Sequence, residues 1–125
     1  MRWTVITDLI DDWIDSLDTK TVRDVIAAFE ALEMKGPALG RPLVDHVKGS
    51  RLRNLKELRP ASSRDSEVRI LFVFDESRQA IMLLAGDKAG RFARGPKWAR
   101  WYKRAIPEAE QRYDLYRHSH QKGAR

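Results

Sequence analysis

Residues 67–74 read Glu-Val-Arg-Ile-Leu-Phe-Val-Phe, and this stretch decides the fold. One side of the alternation consists of Val68, Ile70, Phe72 and Phe74. Alternation with a period of two predicts a β-strand, and its apolar face predicts that a second layer covers it. Arg69 is then expected on the opposite face of the same strand.

Two further strands are predicted beside this one. Residues 53–59 precede a turn at 60–65, and residues 80–85 follow a turn at 75–79. Short connections between β-favouring segments are typical of antiparallel neighbours. We therefore expect an antiparallel meander of three strands.

The N-terminal third predicts a short strand followed by two helices. Residues 2–6 favour a strand, and apolar side chains then recur at helical spacing over residues 9–17. A second helix is predicted from the N-cap candidate Asp18 to the pair Gly36-Pro37. The two helices are expected to form a hairpin that covers the apolar face of the meander.

The rest of the chain predicts a connection and C-terminal helices. Residues 37–50 read as a connection, because glycine and proline are scattered through them. A helical stripe over residues 98–105 is interrupted by Pro107, a short helix to about Tyr116 follows, and residues 118–125 read as a flexible tail. The predicted fold class is α+β, in the order β-α-α-β-β-β and then helix.

Composition narrows the class of protein. The 125 residues, 34% charged and 42% hydrophobic, suit one domain, expected over residues 1–117. With no cysteine, the chain has no disulfide, thiolate metal site or cysteine nucleophile. Apolar runs are too short to cross a bilayer and the acidic start is unlike a secretory signal. We therefore take Met1 as the start and expect a cytoplasmic protein.

Charge is distributed unevenly along the chain. Residues 1–34 carry 3 basic and 8 acidic side chains, whereas residues 35–125 carry 21 basic and 10 acidic ones. A strongly cationic remainder favours a polyanionic partner, of which nucleic acid is the most common. An arginine-rich solvated surface is the alternative.

Familiar catalytic and metal-binding motifs are missing from the sequence. It contains no phosphate-binding glycine loop ending in Lys-Ser/Thr, no HExxH, no nucleophile elbow and no EF-hand loop. His118 and His120 have no carboxylate support nearby, so we expect no metal and no cofactor. His46, next to Asp45, is either a proton donor near a site or a structural histidine.

Cationic side chains are concentrated on or just after the predicted strands. They include Lys56, Arg59, Arg69, Lys88 and Arg91. A charged side chain in mid-strand, such as Arg69, costs desolvation free energy unless it faces solvent or an anion. Either it binds an anionic ligand, or an ion pair within the protein explains it, with Glu57 or Glu67 as the partner.

Trp101 and Tyr102 also allow two interpretations. Aromatic residues at helical spacing more often pack in a core than contact a ligand. Aromatic side chains interleaved with Arg and Lys, however, also stack on the bases of single-stranded RNA. One residue of the pair can serve each purpose.

A series of short motifs runs through nearly the whole chain. In order, they are Gly40-Arg-Pro-Leu-Val, Lys48-Gly-Ser-Arg, Leu55-Lys-Glu-Leu-Arg-Pro60, Ser66-Glu-Val-Arg-Ile-Leu-Phe72, Ala85-Gly-Asp-Lys88, Trp101-Tyr102 and Ile106-Pro-Glu-Ala109. Together they resemble the phage-derived Gp49-like branch of the RelE and HigB toxins. The resemblance implies a RelE-like β-α-α-β-β-β core with a C-terminal helix, which is the order predicted above.

The resemblance also implies a function. Many members of this family are toxins of type II toxin–antitoxin modules that cleave messenger RNA, commonly in the ribosomal A site. The chain is then expected to be a metal-independent endoribonuclease that inhibits translation and growth. Its expected partners are a HigA-like helix-turn-helix antitoxin, messenger RNA and the ribosome, with operator DNA reached only through the antitoxin complex and no membrane.

By position, the resemblance implies roles for individual residues. Arg59 and Arg69 are expected to bind phosphate, and Lys88 to stabilise charge or donate a proton. Glu57 is the candidate general base, although a basic pair of some RelE members falls near Leu55 and Glu57 here. The expected RNA contacts are Lys56, Arg91, Trp101 and Tyr102.

Two other functions remain open from the sequence. A ParE-like toxin of the same superfamily binds a protein target such as gyrase and has no nuclease activity. A basic module that binds nucleic acid without cleaving it is the second alternative.

Overall fold

The computed structural model describes residues 2–61, 67–87 and 95–123 and, within the last range, the side chains of residues 99–120. Among them are the strands β1 (Thr4–Ile6), β2 (Val44–His46), β3 (Lys56–Leu58), β4 (Val68–Phe74) and β5 (Gln79–Asp87). The helices are α1 (Asp11–Asp15), α2 (Thr19–Lys35) and α3 (Gly95–Gly123), with 3₁₀ turns at Asp8–Ile10 and Gly36–Ala38. The predicted α+β class is confirmed.

The described strands form one sheet in the order β1-β5-β4-β3-β2. β1 runs parallel to β5, and the other neighbouring strands are antiparallel. The predicted meander corresponds to β3, β4 and β5 and is confirmed. The longest pairing joins β4 to β5, from Val68 opposite Asp87 to Phe74 opposite Ala80.

Strand β2 lies in the segment that was predicted as a connection, and that prediction is wrong. It pairs with β3 through Val44 opposite Leu58 and His46 opposite Lys56. Three residues at the edge of a sheet are too few to show a clear alternation of polar and apolar side chains. The sheet therefore has one strand more than the RelE-like core that the resemblance implied.

Helix α2 forms as its end signals predict. The Asp18 side chain accepts a hydrogen bond of 2.7 Å from the Thr21 N–H, which caps the first turn. Gly36 ends the helix with a φ of 53°, and a Cβ there would lie 2.3 Å from the Trp3 indole. Glycine is thus required both by the left-handed backbone and by the close approach of Trp3.

The first predicted helix is much shorter than its apolar pattern suggested. A 3₁₀ turn at Asp8–Ile10 precedes the five-residue helix α1, which ends before Ser16. The Ser16 hydroxyl donates to the Trp13 carbonyl at 2.6 Å, and Asp18 already caps α2. Aspartate is a weak helix former away from the N-terminus, so the segment does not extend. The predicted hairpin therefore consists of one turn of helix and one long helix.

Two apolar cores lie on opposite faces of the sheet. The core between α2 and the sheet includes Val25, Leu32, Leu58, Ile70 and Phe72. The core between α3 and the sheet includes Leu71, Val73, Leu83, Ala105 and Ala109. The predicted alternation along β4 is therefore confirmed, and each face is covered by one long helix.

Helix α3 continues through Pro107, so the predicted interruption is wrong. Ala105, Ala109 and Tyr116 share one face of this helix and are buried against the sheet. A proline inside a helix removes one backbone hydrogen bond, but Pro107 is exposed and the buried face is uninterrupted. The helix extends to Gly123, across most of the stretch predicted as a tail. The flexibility of residues 118–125 stays a prediction.

Candidate active site

A buried carboxylate lies at the centre of the candidate site. Glu57 is in β3, opposite Asp45 of β2 and Leu71 of β4, and its side chain shares the sheet face that α3 covers. The residue is 2% exposed. An ionised carboxylate at this depth is stable only when charged or hydrogen-bonding groups surround it.

Three side chains meet Glu57, from Arg59 just after β3, Arg69 in β4 and Tyr102 in α3. Arg59 approaches Oε2 with its Nε at 2.8 Å and its Nη2 at 2.7 Å. The Nε of Arg69 lies 3.6 Å from Oε1, and the Tyr102 hydroxyl donates a hydrogen bond to the same oxygen. The structure thus brings together the predicted base, both predicted phosphate-binding arginines and one predicted aromatic residue.

Both arginines also face a second carboxylate. Arg69 Nη2 lies 2.5 Å from Glu67 Oε1, and Arg59 Nη2 lies 3.8 Å from Asp45 Oδ2. Arg69, with its side chain 15% exposed, therefore contacts both carboxylates that the sequence suggested as ion-pair partners. Any anionic ligand at these arginines has to compete with the carboxylates.

The contacts at the site shift the pKa values of Arg59 and Asp45. Burial alone would lower the pKa of Arg59, but the hydrogen bond and negative charge of Glu57 offset it, and the pKa is raised. The His46 N–H, and then the Arg41 guanidinium, hold the pKa of Asp45 below its usual range. At neutral pH, Arg59 and Asp45 are therefore both charged.

Tyr102 is a hydrogen-bond donor in this arrangement. Burial, and then its hydrogen bond to Glu57, raise the pKa of Tyr102 from 10.0 to about 12. The phenol therefore keeps its proton at neutral pH. It can orient Glu57, but it is not a base under these conditions.

The cluster opens on a cleft of about 290 Å³. The lining residues are His46, Val47, Lys48, Glu57, Arg59, Tyr102 and Ile106. Arg59, with its side chain 39% exposed, is more accessible than Arg69. A ligand in this cleft therefore meets Arg59 before Arg69.

Other predicted site residues have different surroundings. Trp101 packs on the core under α3, and a Cβ at Gly86 would lie 2.5 Å from its Nε1. Lys56 points to the opposite sheet face from Glu57, with its Nζ 3.5 Å from His46 Nε2. Contacts of Trp101 and Lys56 with RNA stay predictions.

Two of the predicted cations, Lys88 and Arg91, lie outside the described residues. Within the described part of the chain, no group of three or more His, Cys, Asp and Glu side chains could hold a metal ion. Among the same residues, no helix has the length and apolar character needed to cross a bilayer.

Sequence reasoning missed the part that Asp45 and Lys48 play at the cleft. Both belong to the segment that was predicted as a connection. Had β2 been recognised, the register that pairs Asp45 with Glu57 would have placed a second carboxylate beside Arg59. The signal was weak because β2 is three residues long.

The fold and the site define a small α+β protein with an arginine–carboxylate cluster where a C-terminal helix crosses an open sheet. The profile of the family described as "Phage derived protein Gp49-like (DUF891)" matches residues 12–114. The chain therefore belongs to this family, and the resemblance seen in its motifs is confirmed.

Two proteins of Mycobacterium tuberculosis are similar to this chain. The first, named "Putative toxin HigB2", is 53% identical over 111 residues, which are 89% of this chain and 52% of that protein. The second, named "Putative toxin HigB3", is 46% identical over 108 residues, which are 86% of this chain and 87% of that protein. The chain thus spans about half the length of the first relative and most of the second.

Proposed function

We propose that this chain is the toxin of a type II toxin–antitoxin module and that it acts in the cytoplasm by cleaving messenger RNA. The observation that carries the proposal is the cluster of Glu57, Arg59, Arg69 and Tyr102 at an open cleft. The family assignment and the toxin names of two relatives support it.

The two arginines provide the phosphate site. Guanidinium groups bind phosphate through paired hydrogen bonds and stay charged at any physiological pH. Arg59 is accessible from the cleft, whereas Arg69 lies deeper between Glu57 and Glu67. The phosphate then displaces carboxylate contacts of Arg59, and Arg69 stabilises the charge that develops in the transition state.

The proposed reaction is attack of a ribose 2′-oxygen on its own 3′-phosphate. Glu57 takes the 2′-hydroxyl proton after exchanging its hydrogen bond from Tyr102 for one from the ribose. The new bond from the 2′-oxygen to phosphorus forms as the bond to the 5′-oxygen breaks, and the leaving oxygen takes a proton. The products are a 2′,3′-cyclic phosphate and a 5′-hydroxyl, and the reaction requires geometry and charge rather than a metal.

Lys88 completes the proposal as the group that stabilises the leaving oxygen or protonates it. This role rests on the family resemblance, as does the contact of Arg91 with RNA. Tyr102, which lines the cleft, is proposed as the aromatic side chain that stacks on a base. Trp101 is proposed as the second aromatic contact and Lys56 as a contact from the other sheet face.

The expected partners follow from the same proposal. A ribosome carrying messenger RNA presents the polyanion that the cationic residues 35–125 favour. A HigA-like antitoxin would silence the toxin by covering the cleft or pairing with its arginines. Operator DNA is then contacted through the antitoxin.

The first experiment expresses the protein in cells and maps new 5′ ends on messenger RNA. We compare the wild type with the double variant Arg69→Ala/Lys88→Ala. A charge-matched control, Lys20→Ala/Arg23→Ala, removes two exposed cations of α2. We expect growth arrest and RNA cuts from the wild type and the control, and neither from the double variant.

A specific observation favours one alternative function. Both described arginines at the site are paired with carboxylates, so they can serve a structural network without binding phosphate, which leaves room for a ParE-like toxin that binds a protein target. Growth arrest without new RNA ends would support that alternative. Salt-sensitive RNA binding without cuts or growth arrest would indicate a non-catalytic binding module.

A further inference from the structure

Helix α3 and the β2–β3 loop, residues 47–55, form two facing walls of the cleft at the candidate site. Tyr102 and Ile106 line the cleft from α3, and Val47 and Lys48 line it from the loop. The sheet forms the floor between these walls. The width of the cleft therefore depends on how the loop is attached to the helix.

The base of the β2–β3 loop is fixed to the sheet and to the core. The Val47 N–H donates a hydrogen bond of 3.1 Å to the carbonyl of Leu55, which is fully buried. Leu52 packs against the same core under α3. Residues 48–51 between them are exposed or half-buried, and Gly49 has a φ of 86°. Such a segment keeps one conformation only when hydrogen bonds hold it.

Glu110 of α3 accepts two of the hydrogen bonds that hold this segment. Its Oε2 accepts one from the Ser50 hydroxyl at 2.7 Å and one from the Arg51 N–H at 2.9 Å. The Ser50 Oγ in turn accepts a hydrogen bond of 3.0 Å from the Leu52 N–H. Hydrogen bonds to an ionised carboxylate are strong, and the Glu110 side chain is only 15% exposed. Water therefore competes little for these contacts.

Arg51 adds contacts that are more exposed to solvent. Its Nε lies 3.7 Å from Glu110 Oε1, and its guanidinium group pairs with Asp114. The side chains of Arg51 and Asp114 are 55% and 52% exposed, and exposed ion pairs contribute little to stability. Glu110 is therefore the main attachment of the loop, and Asp114 is a comparison residue of equal charge beside the same arginine.

The attachment belongs to a line of contacts along one side of α3. Residues spaced four positions apart are neighbours on a helix surface, and here they are Tyr102, Ile106, Glu110 and Asp114. The first donates a hydrogen bond to Glu57, the second packs in the core, and the last two hold the loop. One side of one helix thus fixes both the tyrosine at the cleft and the wall opposite it.

We propose that Glu110 is a positioning residue of the candidate site. By holding residues 48–51 against α3, it fixes the width of the cleft and the place of Lys48 beside it. This inference rests on the proposed function and assigns Glu110 no contact with RNA. A wall that is already in place loses less conformational entropy when an anionic ligand binds. Glu110 therefore acts on affinity, whereas the reacting groups on the sheet act on the cleavage rate.

Electrostatics and positioning predict opposite results for Glu110→Ala. Removal of a negative charge near the cleft would strengthen RNA binding if charge alone mattered. Release of the loop should instead weaken RNA binding on the order of tenfold. The matched control is Asp114→Ala, which removes the same charge beside Arg51 but leaves both hydrogen bonds to Glu110. It should change the affinity by no more than about twofold.

Two further variants separate the hydrogen bonds from the charge and the loop from the helix. Glu110→Gln loses the charge but keeps an oxygen that can accept both hydrogen bonds, so its affinity should lie within about threefold of the wild type. Gly49→Ala acts on the loop alone. A Cβ there would meet none of the described atoms within 4 Å, but the positive φ disfavours alanine. It should weaken RNA binding about fivefold.

The test measures affinity, rate and loop order for each folded variant. Affinity is measured for ribosomes whose messenger RNA carries 2′-O-methyl groups in the A-site codon, which block attack by the 2′-oxygen. The cleavage rate is measured with unmodified messenger RNA at saturating ribosomes. Loop order is measured as amide hydrogen exchange of the Arg51 N–H. In Glu110→Ala we expect weaker binding, a saturated rate within about twofold of the wild type, and Arg51 exchange at least about tenfold faster.

The outcomes separate this inference from the proposed function. Faster Arg51 exchange in Glu110→Ala with wild-type affinity would make Glu110 a structural anchor and overturn the inference alone. Equal affinities of Glu110→Ala and Glu110→Gln, or of Glu110→Ala and Asp114→Ala, would also overturn it. The expected pattern of affinities without cleavage by the wild type would support the inference and contradict the proposed cleavage. A wild-type protein that neither binds nor cleaves would overturn both.

Discussion

The two faces of the sheet bury different kinds of side chain, and two neighbouring residues of β3 show the difference. Leu58 is fully buried toward α2, and its neighbours are apolar side chains. Glu57 is 2% exposed toward α3 and is surrounded by Arg59, Arg69 and Tyr102. Burial of leucine stabilises the fold directly, whereas burial of a carboxylate is tolerated only with its partners.

The face toward α3 is the one on which we propose that the chemistry takes place. The face toward α2 is apolar along β4, and the face toward α3 is apolar at Leu71 and Val73 as well. On the face toward α3, charged side chains replace the apolar ones near β2 and β3, where the cleft opens. A costly ionic cluster at an open cleft is typical of a functional site, because a purely structural position can be filled by apolar residues.

The largest combined effect on stability and activity is expected from Arg69→Ala. It removes a cation from Glu57 and Glu67, and leaving a buried carboxylate short of its partner should cost about 3 kcal/mol of unfolding free energy. Cleavage of RNA should fall at least about 100-fold. Urea denaturation and a cleavage assay at a temperature where the variant is folded measure the two effects. A loss of stability with full activity would make Arg69 a structural residue.

The next prediction concerns the sheet face toward α2 and separates it from the face that carries the candidate site. Leu58→Ala should lower the unfolding free energy by about 2–5 kcal/mol, because the side chain is fully buried in the core under α2. Once folded, the variant should cleave RNA at nearly the wild-type rate. A large loss of activity in the folded variant would mean that the two faces are not separable.

Glu57→Gln tests the centre of the cluster. The amide keeps the shape of the carboxylate but loses its charge, which should cost about 1.5–3 kcal/mol in hydrogen bonds to charged groups. If Glu57 is the base, the cleavage rate should fall about 100-fold with RNA affinity nearly unchanged. Weaker RNA binding with a nearly normal rate would instead show that Glu57 positions the arginines.

Tyr102→Phe has a smaller effect that depends on pH. In the folded protein the pKa of Tyr102 is raised to about 12, so the folded state holds this proton more tightly than the unfolded state. The resulting stabilisation is complete below pH 10 and is lost as the pH rises toward 12. Stability should therefore decline less steeply with alkaline pH in Tyr102→Phe than in the wild type. Parallel declines would contradict the burial of this hydroxyl.

The smallest effect concerns the acidic start of the chain. Asp11, Asp12 and Asp15 are exposed and lie at the α1 end of the molecule. Replacing all three with Asn should tighten ribosome binding about twofold by removing repulsion from RNA. Unchanged affinity, measured at low salt, would show that these residues do not steer the protein.

Much of the fold could be predicted because strong local signals agree with the tertiary contacts. Helix α2 has a cap, an apolar stripe and a glycine stop, and β4 is seven residues long with Val68, Ile70, Phe72 and Phe74 at alternate positions. The predictions that were wrong concern elements that are very short, or elements in which tertiary packing outweighs the local sequence signal. Strand β2 has three residues, and Pro107 is tolerated because the buried face of α3 continues past it.

The candidate site was predictable in its residues but not in its contacts. Alternation put Arg69 on the face of its strand opposite Val68 and Ile70, and Glu57 and Arg59 were named as site residues beside the family resemblance. The contact of Tyr102 with Glu57 spans 45 positions in the sequence, and no local pattern reports it. The pairing of Asp45 with Arg59 depends on the register of β2, which was not recognised.

The most direct test of the central claim is to identify the ends of cut RNA. Purified protein is incubated with ribosomes programmed with messenger RNA, in a buffer that contains the magnesium that ribosomes require. The RNA fragments are then analysed by mass spectrometry. We predict fragments with 2′,3′-cyclic phosphate and 5′-hydroxyl ends, lost in Arg69→Ala and retained in Lys20→Ala/Arg23→Ala. Intact RNA with the folded wild-type protein, or equal cutting by Arg69→Ala, would contradict the account.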